Sequence, residues 1–197
     1  MTLKLPDICD PLGIRDRTIL ELFYSSGIRR SELTRLEITD LNQEHQTLKV
    51  RKGKGNKDRV VPVGNCALQW LEKYLEESRP KLALSQDERN LFLTSYGEGC
   101  NPDVLSRKVS KFIKQADLGR PGSCHLLRHT CATHMLEGGA DIRFIQQLLG
   151  HEKLETTSIY TQVIIEQLKA VHAKTHPAEA QENDQKPDSK NDENPLP

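Results

Sequence analysis

"TLKVRKGKGNKDRVVPV", residues 47–63, is the stretch that decides the fold class. Both ends are rich in Val, Leu and Thr, while the middle is basic and broken by Gly53 and Gly55. That reads as two antiparallel strands around a glycine-rich turn. Further out, only "LFLT" (91–94) has strand character, as a short buried strand or core segment. Elsewhere the apolar residues recur at helical spacing. One helix runs over 12–26 and stops at Gly27; a short one follows with Ser31 near its start. "CALQWLEKYLEES" (66–78) places Leu68, Leu71 and Leu75 on one side. Val104, Leu105, Val109, Phe112 and Ile113 mark another helix. A helix over 125–137 ends at Gly138-Gly139, and Asp141 caps one that runs to Leu149 before Gly150. A last amphipathic helix covers 162–174. The expected class is α+β, mainly helical, with one small antiparallel sheet.

The 197 residues allow one domain with appendages, and 36% apolar residues suffice for one core. Formal charge is zero but unevenly spread. From His176 onward six acids face two bases, so the tail is net −4 and the body net +4. That tail, 176–197, has almost no large apolar residue and is expected to be disordered. Five cysteines with no Cys-x-x-Cys pair fit reduced thiols and a cytoplasmic location. The start, "MTLKLPDICD", has no apolar signal segment, and no run approaches the ~18–20 apolar residues needed to span a membrane.

Four polar clusters remain. "SGIRRSEL" holds Arg29, Arg30 and Glu32; "RKGKGNKDR" holds Arg51, Lys52, Lys54, Lys57 and Arg59; "CHLLRHT" holds His125, Arg128 and His129; "LLGHEKLETTSIYT" holds His151 and Tyr160. On a helix His125 and Arg128 share a face, so a guanidinium can grip phosphate oxygens while an imidazole handles a proton. A lysine at a hairpin tip is a mobile point charge. No carboxylate cluster points to a metal. His125, His129 and Cys124 lack the glutamate and fourth ligand of a zinc site. The inventory suits metal-free phosphoryl transfer, with a tyrosine as nucleophile. Its phenol, with a pKa of about 10, needs cationic help to lose a proton at neutral pH.

These boxes, in order and at these spacings, resemble the tyrosine recombinase family, most closely bacterial Xer-type recombinases and phage or plasmid integrases. The resemblance covers roughly residues 10–175 and implies that family's catalytic-domain fold over 1–175, without the separate helical clamp domain that usually precedes it. It implies that Tyr160 attacks a DNA phosphodiester to give a 3′-phosphotyrosyl bond. Arg29 and Arg128 hold the non-bridging oxygens, Lys54 protonates the departing 5′ oxygen, His125 serves as acid/base, and His151 contacts the phosphate. Glu32 orients its neighbours. Arg30, Arg51, Lys52, Lys57 and Arg59 are expected on the DNA backbone, His129 and His134 in structural roles, and Cys131 as core filling. No cofactor is implied. The implied partners are double-stranded DNA and further copies of the chain, a tetramer on DNA joined through helix 162–174, with no membrane. Two other readings stay open: a topoisomerase-like activity that nicks and reseals through tyrosine, and a non-catalytic DNA-binding or interaction module.

Overall fold

A helix buried on almost every side organises the chain. This is α1 (Pro11–Ser26), with Pro11 in its first turn, where a missing amide hydrogen costs nothing. Gly27 closes it in the left-handed conformation at φ 59°; a Cβ there would also lie 2.9 Å from Leu149 Cδ2. The structure, a computed structural model, describes residues 2–51, 58–85, 87–117, 119, 121–150 and 161–177, with 161–167 by backbone alone.

A central helix must satisfy any polar side chain it buries. Arg15 donates to the Leu93 carbonyl (2.6 Å) and pairs with Asp16 (2.7 Å), which also takes Lys108 (2.6 Å). Thr18 donates to the Ile14 and Trp70 carbonyls. Its apolar residues Ile19, Leu20, Leu22 and Phe23 join a core with Leu33, Leu48, Val61, Leu71, Leu91, Leu93, Val109, Cys131 and Leu148.

The sheet has three antiparallel strands in the order β1 (Leu41–Asn42), β2 (Thr47–Val50), β3 (Arg59–Pro62). Leu48 pairs with Val61 and Val50 with Arg59, so β2 and β3 pair antiparallel as the sequence implies. The small β1, which pairs Leu41 with Leu48, is an addition to the expected two strands. Two residues are too short to show any alternation.

The segment after the sheet is less regular than its leucine spacing predicts. It starts as α3 (Asn65–Lys73), widens to a π-helical turn at Tyr74–Ser78, and restarts as α4 (Arg79–Leu82). Pro80 explains the restart, because it has no amide to continue the ladder and fits only a first helical turn. "LFLT" is core rather than a strand of the sheet: Leu91, Phe92 and Leu93 are buried, and Leu93 makes an isolated bridge to Gly99.

The remaining helices are α2 (Arg30–Leu33), α5 (Pro102–Gln115), α6 (Cys124–Glu137), α7 (Ile142–Leu149) and α8 (Thr161–Thr175). Asn101 caps α5 through its side chain and Asp141 caps α7. α6 buries Cys124, Leu127, Cys131 and Met135 along one stripe and lies against α1, α7 and α8. α8 packs on this same chain. Leu168, His172 and His176 are buried, and the two imidazoles donate to the last carbonyls of α1, Ser25 O (2.9 Å) and Tyr24 O (2.8 Å). His176 therefore belongs to the packed body, one residue past the expected boundary at 175. Its ring stacks on His172, and a lone histidine among polar residues gives no sign of that in sequence. The rest of the expected tail, from 178, lies outside the described residues. The mainly helical architecture with a small antiparallel sheet is as expected.

Candidate active site

Ile28, fully buried, pins the turn that follows Gly27. It delivers Arg29 in extended conformation to the start of α2. There the Glu32 carboxylate accepts the Arg29 backbone amide (2.8 Å) and its Nη1 (2.8 Å). The i to i+3 spacing of "RRSE" makes both bonds possible within one turn.

A second arginine reaches the same carboxylate from the sheet. Side chains alternate along a strand, so Arg59 shares a face with buried Val61, while Val60 points out and is 41% exposed. Arg59 thus turns inward and grips Glu32 with both Nη atoms, at 2.7 and 2.8 Å. A third comes from α6: Arg128 donates through Nη2 to the Leu149 carbonyl (2.6 Å) and through Nη1 to the Gly27 carbonyl.

The three meet at the end of α7. Helix C-termini leave carbonyls without intrahelical partners and carry partial negative charge. Here three successive ones are each taken by a different guanidinium: Leu148 O by Arg59 (3.4 Å, weak), Leu149 O by Arg128, and Gly150 O by Arg29 (3.1 Å). Gly150 is required at this point. Its φ is 64°, and a Cβ would lie 3.0 Å from Arg59 Nε.

Charge in this cluster does not balance. Glu32 is the carboxylate paired with Arg29 and Arg59, and Arg128 adds a third cation. Burial would raise the Glu32 pKa, but hydrogen bonds from Arg59 and Arg29 outweigh it and hold it down to about 2. Burial first, then the neighbouring charges of Arg29 and Arg59, pull the Arg128 pKa down to about 10. Arg128 stays protonated at neutral pH yet lacks an anion of its own among the described residues. An oxyanion is the ligand such a surplus favours.

The other expected site residues fall as follows. His125 is exposed one turn before Arg128 on α6. Arg30 pairs with Asp103 (2.9 Å), and Arg51 with Asp40 (2.6 Å) and Glu37 (3.1 Å). Lys52, Lys54, Lys57, His151 and Tyr160 lie outside the described residues. Gly150 and Thr161 bracket the last two, so His151 directly follows the arginine-held turn and Tyr160 directly precedes α8. Two other tyrosines are poor nucleophiles. Tyr24 shares a hydrogen bond with His134 Nδ1 (2.9 Å) and Tyr74 donates to Leu91 O (3.1 Å); burial pushes both up to about 12. Sequence reading placed Arg59 on DNA and missed its bond to Glu32. The signal was present in the alternation of "RVV", which puts Arg59 on the inward face with Val61.

Residues 2–166 match the model of the phage integrase family. "Tyrosine recombinase XerC 2" of Ralstonia nicotianae (strain ATCC BAA-1114 / GMI1000) is 51% identical over 178 residues, covering 90% of this chain and 51% of that protein. The fold matches the crystal structure of XerA recombinase with a TM-score of 0.66 at 33% identity, over 81% of this chain and 58% of that one. It also matches XerH site-specific recombinase bound to a palindromic difH substrate in a post-cleavage complex, with a TM-score of 0.65 at 26% identity, over 87% and 49% of the two chains. The chain thus spans about half the length of the curated relative it matches. With the family pattern running through all the elements that carry the arginine cluster, the chain belongs to the phage integrase family, and its sequence is similar to tyrosine recombinases of the Xer type.

Proposed function

We propose that the chain is a site-specific DNA recombinase that cleaves and rejoins strands through a 3′-phosphotyrosyl link. The observation that carries this reading is the convergence of Arg29 and Arg128, 99 positions apart in the sequence, on the adjacent carbonyls of Gly150 and Leu149. Two guanidinium groups held side by side, with cationic charge in excess, are matched to the two non-bridging oxygens of a phosphodiester.

In this reading Tyr160 Oη forms the new bond to phosphorus as the bond from phosphorus to the 5′ oxygen breaks. The phenolic proton passes to His125, and Lys54 supplies a proton to the leaving 5′ oxygen. Arg29 and Arg128 neutralise charge that builds on the phosphoryl oxygens, and His151 hydrogen-bonds one of them. The ester to tyrosine retains the energy of the broken bond, so a second 5′ hydroxyl can reverse the step on another strand without ATP or metal. Cations of the hairpin, Lys52 and Lys57 with Arg51, and Arg30 beside α5, contact the DNA backbone. XerH, whose fold this chain shares, is bound to a palindromic substrate, and a palindrome is a property of duplex nucleic acid; that supports DNA as the partner here.

Exchange between two duplexes calls for two pairs of copies, a tetramer on DNA. In this reading copies join through residues 162–174, while His172 and His176 hold the end of α8 on Ser25 and Tyr24 of their own chain. Residues up to His176 form the catalytic domain, and those beyond it an acidic tail.

The test is covalent capture. The chain is mixed, in EDTA, with a library of nicked duplexes carrying a randomised central segment, and denaturant-resistant protein–DNA adducts are sequenced. Enrichment of one related set of sites, abolished by Tyr160→Phe, is expected. Specific binding with no adduct from the unsubstituted chain would overturn the enzyme reading in favour of a binding module.

A further inference from the structure

We propose that Arg59 is a positioning residue for strand cleavage: through Glu32 and the 148–150 turn it sets the aim of Arg29. The proposal rests on the reading of Arg29 as a phosphate ligand given above. Arg29 alone is loosely held. Its side chain is 24% exposed, and it stands at the start of α2, a helix of only four residues. One turn of helix has little stability of its own, because the cost of nucleation is not recovered by further bonds. What keeps Glu32 in place is therefore external to α2.

Arg59 supplies that brace from a firmer base. Its backbone sits in β3, paired with Val50 of β2. Its guanidinium meets both oxygens of Glu32 in a two-pronged arrangement, at 2.7 and 2.8 Å, fixing the plane of the carboxylate as well as its position. Glu32 in turn holds Arg29 through both backbone amide and Nη1. The same guanidinium lies directly beneath Gly150, whose carbonyl accepts the other Nη of Arg29. One anchor of the Arg29 side chain is thus bonded to Arg59, and the other belongs to a residue packed against it. At 15% exposure, with its Nη atoms committed to Glu32, Arg59 is poorly disposed to contact DNA itself, although its place in a basic hairpin would suggest such a contact.

Single-turnover cleavage of a captured duplex, measured alongside its dissociation constant, tests this in the full chain. Arg59→Met is expected to slow cleavage about 10²-fold, the effect of a sub-ångström to ångström misplacement of a reacting group. DNA affinity should change less than about threefold, because no phosphate contact is removed. Arg59→Lys, which keeps the charge but loses the fork, should fall between the two. In an Arg29→Lys background the Arg59→Met effect should shrink to under about tenfold, since residues acting through one another are not additive. Urea unfolding of each variant separates misfolding from misaim, and Arg59→Lys serves where Arg59→Met does not fold. Weakened DNA affinity with an unchanged rate from the bound complex would make Arg59 a DNA contact and overturn the proposal. So would equal losses in both Arg29 backgrounds. Absence of cleavage by the unsubstituted chain would count against the function proposed above, whereas normal cleavage by a folded Arg59→Met chain would count against this inference alone.

Discussion

Glu32 is the residue that lets three guanidinium groups sit together. It is 6% exposed and bonded on both oxygens. Removing one partner of such a cluster leaves buried like charges unscreened, so Glu32→Gln should cost about 3 kcal/mol of folding stability, within the range for broken buried pairs. Urea unfolding measures this directly. The same residue sets a pH dependence. Its folded pKa of about 2 lies below the ordinary value of 4.5. Its contribution is therefore complete above about pH 4.5 and is lost as pH falls toward 2. Glu32→Gln should flatten the stability profile in that window; an unchanged slope would place the acid sensitivity elsewhere.

At the scale of elements, legibility followed the locality of the cause. Gly27, Asp141 and Gly150 mark helix ends because capping chemistry acts within a turn, and all three sit where sequence places them. The hairpin was legible from its propensities and glycine-rich middle. What sequence did not show depends on partners far along the chain. The two residues of β1 are a strand only because Leu48 and Thr47 lie beside them. The π-helical turn at Tyr74–Ser78 precedes Pro80, and Ser78 Oγ donates to the Pro11 carbonyl, 67 positions away. Arg29 and Arg128 were legible as a pair of motifs, but the carbonyls that gather them come from α7. The hold on α8 was equally hidden. His176 is pushed down to about 3, by burial first and then by His172, with His134 adding to the effect. Between that value and the ordinary 6.5 the unfolded chain binds more protons, so stability should rise with pH across about 3 to 6.5, by up to about 1.4 kcal/mol per pH unit. In His176→Phe, urea unfolding at pH 5 and 6.5 should lose most of this slope. A slope equal to that of the parent would show that α8 is not held in this way.

Across the whole molecule, the site is a meeting of parts that are each ordinary alone. The exit of α1 supplies Arg29, the sheet Arg59, α6 Arg128 with His125, and the end of α7 the carbonyls that hold the three arginines. The turn then runs into His151, and Tyr160 stands immediately before α8, which returns to α1. The paired arginines thus lie within a short length of chain from a tyrosine. The most direct test is to map the covalent adduct formed in EDTA on a captured nicked duplex, by protease digestion and mass spectrometry. A 3′-phosphonucleotide on Tyr160 is expected, with the adduct falling at least about 10²-fold in Arg128→Ala while the DNA remains bound. An adduct on another residue, or one formed at the parent rate by Arg128→Ala, would contradict a phosphate held by the arginine pair and attacked by Tyr160.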